Sequence, residues 1–117
     1  MEEDLAAWGK TITLETTGRR SGQIRRVSVG FVEVPDGALL VAASDEASDW
    51  ARNLLASPRC DVVRSGTRRP HRAALLEGRA RQDAIVALIL KYGTPSERLG
   101  AGPAFRLMPL DAESRDD

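Results

Sequence analysis

The sequence has very little cysteine and histidine: Cys60 and His71 are the single examples of each in 117 residues. A lone cysteine excludes an internal disulfide and a multi-cysteine metal site. Because His71 and Cys60 lie far apart in the sequence and no carboxylate cluster accompanies either residue, we expect no metal. His71 also lacks a serine, cysteine or acid pair at a spacing typical of a catalytic triad, so we interpret it as a structural or surface histidine.

Long apolar runs are also absent, and the acidic residues 1–4 are not followed by an apolar segment. We therefore expect no membrane span and no signal peptide, which is typical of a cytoplasmic protein. A chain of 117 residues is long enough for one modest core. We predict a single domain over residues 1–117, with residues 1–9 and 111–117 as flexible tails.

There is no net charge, but the charges are unevenly distributed. Residues 18–72 contain ten arginines against six acidic residues, whereas acids gather at both ends of the chain. A basic middle region suits a small anionic ligand better than a nucleic acid, because duplex binders usually carry a strong overall positive charge. One group of arginines in this region lacks the interleaved aromatic side chains that base stacking needs. It consists of Arg64, Arg68, Arg69 and Arg72. We expect no nucleic-acid partner and interpret most of this group as solvated surface.

Alternating polar and apolar residues predict strands joined by tight turns. In Thr11–Thr17, Ile12 and Leu14 lie on one face, and Thr11, Thr13 and Glu15 lie on the other. Pro35-Asp36-Gly37 and Ser65-Gly66 are turn signals between apolar runs. The predicted strands cover residues 11–17, 25–34, 38–43, 59–64, 67–76 and 103–110.

Two helices are predicted among these strands. Ser48-Asp49 can cap a short helix that ends at Ser57-Pro58. A longer helix over residues 81–92 has an apolar stripe at helical spacing and stops at Gly93: Ile85, Leu88, Ile89 and Tyr92. The expected fold is mainly β, an antiparallel barrel of about six strands with the two helices packed on it.

The segment over residues 16–26 (TTGRRSGQIRR) contains the densest functional signal. It holds four arginines, two glycines and three hydroxyl residues. Arginine offers bidentate donors to phosphate or carboxylate, and glycine lets backbone approach a ligand closely. The segment predicts either a plain hairpin turn with solvated charges or an anion-binding loop.

Three motifs occur in order: T-T-G-R-R-S-G-Q-x-R from Thr16, V-A-A-S from Val41, and D-W-x-x-N-L-x-x-x-P from Asp49. Together they resemble the deazaflavin-dependent (coenzyme F420) nitroreductase and quinone reductase family. The resemblance covers most of the chain and implies a split β-barrel, a flavin-binding-like fold. It also implies that reduced F420 passes a hydride to a small-molecule redox acceptor such as a quinone, enone or nitro compound.

The resemblance also assigns a cofactor site. Arg20 and Arg25 would pair with the phosphodiester or oligoglutamate carboxylates of F420, and Ser21 and Gly22 would offer further donors. Val27 and Ser28 would line the ring. The predicted cofactor-binding residues are Arg19, Arg20, Ser21, Gly22, Arg25, Val27, Ser28, Ala42, Ala43, Ser44, Trp50 and Asn53.

Several alternatives stay open beside this assignment. Trp50 is also interpreted as a core anchor, and Asn53 as a residue that braces a loop. Tyr92 is the candidate substrate-side contact, with its hydroxyl bound to the acceptor oxygen. Asp45-Glu46 stands where relatives have a glycine-rich segment, which disfavours a polyanionic tail nearby.

Function and assembly also have alternatives at this point. FMN is the alternative cofactor. The alternative function is a non-catalytic flavin-, deazaflavin- or lipid-binding protein on the same fold. The chain is expected to be a monomer or a homodimer.

Overall fold

The computed structural model describes residues 11–93 and 102–110, which form one antiparallel sheet of seven strands with two helices. The predicted flexible tails and most of the predicted loop after Gly93 lie outside the described residues. The mainly β class is confirmed. The elements are β1 Thr11–Thr17, β2 Ile24–Gly30, β3 Val32–Glu33, β4 Leu39–Ala42, α1 Asp49–Ala56, β5 Arg59–Arg64, β6 Thr67–Leu76, α2 Gly78–Tyr92 and β7 Ala104–Pro109.

The sheet curls into a half-barrel, and the chain path explains why. The strand order is β2-β1-β5-β6-β7-β4-β3, so β2 and β3 are its two edges. Phe31 alone separates these edge strands in the chain. Because one residue cannot span an open seven-stranded sheet, the sheet must curl until its edges approach each other at Phe31.

The division at Phe31 explains why the sheet has seven strands where about six were predicted. One continuous strand over residues 25–34 was predicted, but β2 ends at Gly30 and β3 begins at Val32. The Phe31 ring is buried at 2% exposure. Its backbone N–H donates to the Tyr92 hydroxyl at 2.9 Å, and that hydroxyl donates to the Phe31 carbonyl at 3.1 Å. The side chain of Tyr92 therefore supplies bonds that a neighbouring strand would otherwise supply.

Two apolar clusters hold the fold together. The larger cluster fills the inside of the curled sheet and includes Leu14, Phe31 and Phe105. The smaller cluster lies under α2, where Ile85 and Leu88 are buried. The predicted stripe on α2 is confirmed, since Ile89 and Tyr92 pack against the same cluster. The helix begins at Gly78, three residues before the predicted start, and ends as predicted before Gly93.

The start of α1 lies where the sequence places it, but its cap differs. Ser48 precedes the helix, and its carbonyl accepts the Arg52 N–H at 3.1 Å. The Ser48 side chain makes no capping hydrogen bond, so that prediction is wrong. Asp49 in the first turn provides the negative charge that stabilises the positive end of the helix.

Candidate functional site

The loop between β1 and β2 is closed by its own hydrogen bonds. The Gly18 N–H donates to the Gln23 carbonyl at 2.7 Å, and the Gly22 N–H donates to the Gly18 carbonyl at 2.8 Å. The Ser21 hydroxyl accepts the Gln23 N–H at 3.1 Å. A Cβ atom on Gly18 would lie 2.9 Å from Ser21 Oγ, so only glycine fits without a shift. The arginines of this loop are therefore presented from a defined backbone.

Asn53 attaches this loop to α1 and to β1. Its side chain is buried, and Nδ2 donates to Thr16 Oγ1 at 3.1 Å. Its Oδ1 accepts two bonds from Arg19, from the backbone N–H at 3.2 Å and from Nη1 at 2.9 Å. The amide therefore uses both ends within the protein, which supports the interpretation that Asn53 braces the loop.

The arginines of the loop and of the start of β2 differ in what they contact. Arg19 binds Asn53 and lies 3.4 Å from the Asp49 carboxylate. Arg20 and Arg25 are exposed and have no hydrogen-bond or ion-pair partner among residues 11–93 and 102–110. Arg19 is thus part of the scaffold, while Arg20 and Arg25 keep their donors available for a ligand.

A cavity of about 630 Å³ lies between the loop, the first half of β2 and the start of α1. Its volume falls in the range of small-molecule and cofactor sites. Seven of the predicted cofactor-binding residues line it: Arg19, Arg20, Ser21, Arg25, Val27, Trp50 and Asn53. Four further residues complete the lining: Gly18, Arg26, Ser48 and Asp49.

Val27 and Trp50 give the cavity an apolar side. Both are half-buried and pack against the larger core cluster. The Trp50 ring lies 6.0 Å from the Phe105 ring, at a tilt of 53° between the ring planes. Such a tilted pair is favourable and fixes the indole. Trp50 is therefore a core anchor and also a wall of the cavity.

Five predicted cofactor-binding residues do not line this cavity. Gly22 and Ser28 are exposed beside it, and Gly22 serves the loop turn with a φ of 74°. Ala42 is buried under α2 and Ala43 in the larger core, while Ser44 is exposed after β4. Their part in cofactor binding stays a prediction.

Tyr92 also lies outside this cavity. Its hydroxyl is bound to the Phe31 backbone, and its ring packs on Gly30, where an added Cβ would come within 3.0 Å. Lys91 reinforces the same point, since Nζ donates to the Phe31 carbonyl at 2.6 Å. The substrate contact predicted for Tyr92 stays a prediction.

A buried carboxylate beside the cavity was missed at the sequence level. Alternation along β1 places Glu15 on the polar face, but its side chain is only 5% exposed. Arg26 Nε donates to it at 2.7 Å, and Arg68 donates through Nε and Nη2 at 2.9 Å each. Bonds from Arg68 and then Arg26 lower the pKa of Glu15 to about 2, although burial opposes this.

One sequence signal could have located this contact. The six-residue loop over residues 18–23 pairs Thr17 with Ile24, and counting back along the hairpin places Glu15 opposite Arg26. Opposite charges in that position attract each other across a strand pair. The contact with Arg68 has no such local signal, because it depends on β5 lying between β1 and β6.

The two acidic residues that precede α1 lie outside the cavity lining. Asp45 and Glu46 are exposed and do not line the cavity, and Asp45 Oδ1 accepts the Ala47 N–H at 2.7 Å.

Within residues 11–93 and 102–110, no group of three or more histidine, cysteine or acidic side chains is arranged to hold a metal ion. In the same part of the chain, no helix is long and apolar enough to cross a membrane.

Comparison with known proteins agrees with the fold. The family model of the F420H(2)-dependent quinone reductases matches residues 5–94. The chain is similar to a solved F420-H2 dependent reductase (FDR-A), at 25% identity and a TM-score of 0.70, over 84% of this chain and 93% of that one. No curated protein sequence matches the chain significantly.

Two further solved structures share the fold. One, described as a domain-swapped dimer, has 23% identity and a TM-score of 0.71, over 91% of this chain and 92% of that one. The other is HutZ from Vibrio cholerae, described as a heme storage protein. It has 19% identity and a TM-score of 0.71, over 92% of this chain and 87% of that one.

Proposed function

The chain belongs to the F420H(2)-dependent quinone reductase family, oxidoreductases whose cofactor is coenzyme F420, and we propose that the cavity over the arginine loop (residues 18–23) is its F420 site. We further propose that the acceptor is an electron-poor small molecule: a quinone, an enone or a nitro compound. The observation that carries the site is the pair of exposed guanidinium groups, Arg20 and Arg25, without a described protein partner at the cavity.

The residues present fit the anionic side of F420. Its phosphodiester and oligoglutamate tail require several cationic donors, and guanidinium is the side chain best suited to bidentate contact with both groups. Arg20 lies in a loop that its own hydrogen bonds close, and Arg25 follows that loop as the second residue of β2. Because these bonds hold the loop in one conformation, less free energy is lost to ordering it when an anion binds.

The apolar side of the cavity fits a ring system. Trp50 is held by Phe105, and Val27 by the core. These two side chains offer a fixed, poorly hydrated surface for the deazaflavin ring.

When bound, reduced F420 supplies the hydride, and a proton from water completes the two-electron reduction of the acceptor. Asp49 is the one carboxylate of the described cavity lining, and its side chain is 87% exposed and paired with Arg19. We therefore assign no general acid among the described residues. The role of the chain is to bind the cofactor, orient the ring and exclude water from one face.

Titration of the purified protein with F420, and in parallel with FMN, followed by fluorescence, tests the site. Each replacement of Arg20 or Arg25 by alanine should weaken F420 binding by roughly tenfold to a hundredfold, as expected for a charge-assisted hydrogen bond. Unchanged affinity in Arg20→Ala/Arg25→Ala would remove both residues from the site.

A matched control removes the same charge elsewhere. Arg59 and Arg72 are exposed and face each other across β5 and β6, away from the cavity lining. Arg59→Ala/Arg72→Ala should bind F420 almost as wild type does. Turnover with quinone and nitro acceptors then distinguishes a reductase from a protein that binds F420 without catalysis.

Monomer and homodimer both remain predictions, and light scattering of the purified protein distinguishes them. The cytoplasmic location expected from the sequence also stays a prediction.

A further inference from the structure

Arg26 has a divided set of donors. Its Nε is bound to Glu15 at 2.7 Å, and its side chain is 65% exposed and lines the cavity. Its terminal Nη groups form no hydrogen bond within residues 11–93 and 102–110. One side of the guanidinium is therefore held by the protein, while the other side remains available at the cavity.

Glu15 itself is held by arginines from two other strands. It lies on β1, between Arg26 on β2 and Asp61 on β5, and Arg68 reaches it from β6. Arg68 binds both carboxylate oxygens in a bidentate arrangement, which fixes the carboxylate plane. The carboxylate can therefore act as a rigid acceptor that orients Arg26.

We propose that Glu15 is a positioning residue of the cofactor site, which orients Arg26 so that its Nη groups bind the anionic part of F420. The inference rests on the proposed function, because it names a further contact of the same site. Arg26 then joins Arg20 and Arg25 as a third cationic donor, and it is the one whose direction is set by a buried partner.

The proposal predicts a change in F420 affinity opposite to the one expected from the change in charge alone. Replacing Glu15 by glutamine removes a negative charge next to an anion site, which by Coulomb attraction alone should tighten F420 binding. If Glu15 acts by orienting Arg26, the same replacement should weaken binding. Glutamine is nearly the same size but offers a single neutral acceptor, so Arg26 loses its fixed direction.

A double-mutant cycle provides the test. F420 affinity is measured for wild type, Glu15→Gln, Arg26→Ala and the double variant. We expect Glu15→Gln to weaken binding by about threefold to thirtyfold, a coupling typical of residues in one network. In the Arg26→Ala background it should weaken binding no further. Wild-type or tighter binding by Glu15→Gln, or two losses that multiply, would overturn the proposal.

A second variant remains informative if Glu15→Gln does not fold. Arg26→Lys changes an exposed side chain and keeps its charge, but the single ammonium would be occupied by Glu15. We expect its F420 affinity to lie within about twofold of Arg26→Ala, because both lack Nη donors. Wild-type affinity in Arg26→Lys would mean that charge alone matters at this position.

An NMR readout separates positioning from a general loss of structure. The Nε–Hε signal of Arg26 should be protected from exchange in wild type and lost in Glu15→Gln, with the Gly18 and Gly22 amide signals unchanged. The matched control is Glu33→Gln, which breaks the remote Glu33–Arg64 pair at 3.1 Å and should leave F420 affinity unchanged.

The outcomes also separate this inference from the proposed function. If wild type fails to bind F420, the proposed function falls and this inference falls with it. If wild type binds F420 and Glu15→Gln binds it equally well, only the positioning role is refuted.

Discussion

Asn53 Oδ1 accepts both the backbone N–H of Arg19, at 3.2 Å, and its Nη1, at 2.9 Å, although the two residues are 34 positions apart in the chain. This one oxygen fixes the start of the arginine loop against α1. The loop and the helix together form two sides of the cavity. The geometry of the proposed anion site therefore depends on an uncharged amide.

Replacing Asn53 by alanine should lower the free energy of unfolding and also weaken F420 binding. The change removes the bonds to Arg19 and Thr16, and buried groups left unpaired cost roughly 1–3 kcal/mol. Urea denaturation and F420 titration measure the two effects. Leu55→Ala, an exposed position on α1 outside the cavity lining, is the matched control. Wild-type values for both measurements in Asn53→Ala would contradict the bracing role.

Acid should destabilise the protein through Glu15. The charged groups around it are Arg26, Arg68 and, on β5 opposite it, Asp61. The pKa of Glu15 is lowered from 4.5 to about 2 in the folded chain. Its contribution to stability is therefore complete above pH 4.5 and is lost as the pH falls from there towards 2.

The measurement is urea denaturation between pH 7 and pH 3, with wild type compared to Glu15→Gln. The loss of stability on acidification should be smaller in the variant, because its side chain does not titrate. Parallel curves for the two proteins would assign the acid sensitivity to other carboxylates.

Cys60 should be unreactive in the folded protein. Burial, and next the neighbouring Asp61, raise the pKa of this thiol to about 12. Because the thiolate is the reactive form, iodoacetamide at pH 8 should modify Cys60 only after unfolding. Mass spectrometry with and without denaturant checks this. Rapid modification of the native protein would show that the start of β5 opens readily.

Replacing Tyr92 by phenylalanine should reduce stability. The hydroxyl bonds both the N–H and the carbonyl of Phe31, the residue that joins the two edges of the sheet. Loss of these bonds is expected to cost about 1–3 kcal/mol, as for other unpaired buried groups, and urea denaturation measures it.

The same variant tests the predicted substrate role of Tyr92. F420 affinity should be retained in Tyr92→Phe, since Tyr92 lies outside the cavity lining. The kcat/KM for each acceptor then decides the substrate contact. Unchanged affinity and turnover for every accepted acceptor would exclude that role.

Local patterns located three of the seven strands at their observed bounds. Thr11–Thr17, Arg59–Arg64 and Thr67–Leu76 are found where alternation places them. The turn at Ser65-Gly66 also follows from sequence, since both residues adopt positive φ, at 52° and 81°. These features depend on neighbouring residues only, which is why the sequence suffices for them.

The break at Phe31 could not be predicted in the same way. Residues 25–34 are a β-type pattern in which Gly30 is the one residue that weakens a strand, and a single glycine does not specify a break. The interruption comes from Tyr92, 61 positions further along the chain, which binds the Phe31 backbone. The positions of β2 and β3 at opposite edges of the sheet follow from the topology of the whole sheet, and not from residues 25–34 alone.

For the site, the sequence by itself determined the arginine loop, the short helix beside it and the family to which the chain belongs. It did not distinguish the four arginines of residues 16–26, which look alike in a local pattern. The tertiary structure divides them: Arg19 braces, Arg26 is held by Glu15, and Arg20 and Arg25 stay available. That division depends on hydrogen-bond partners from distant elements, because an arginine can bind a ligand only through donors that no other residue occupies.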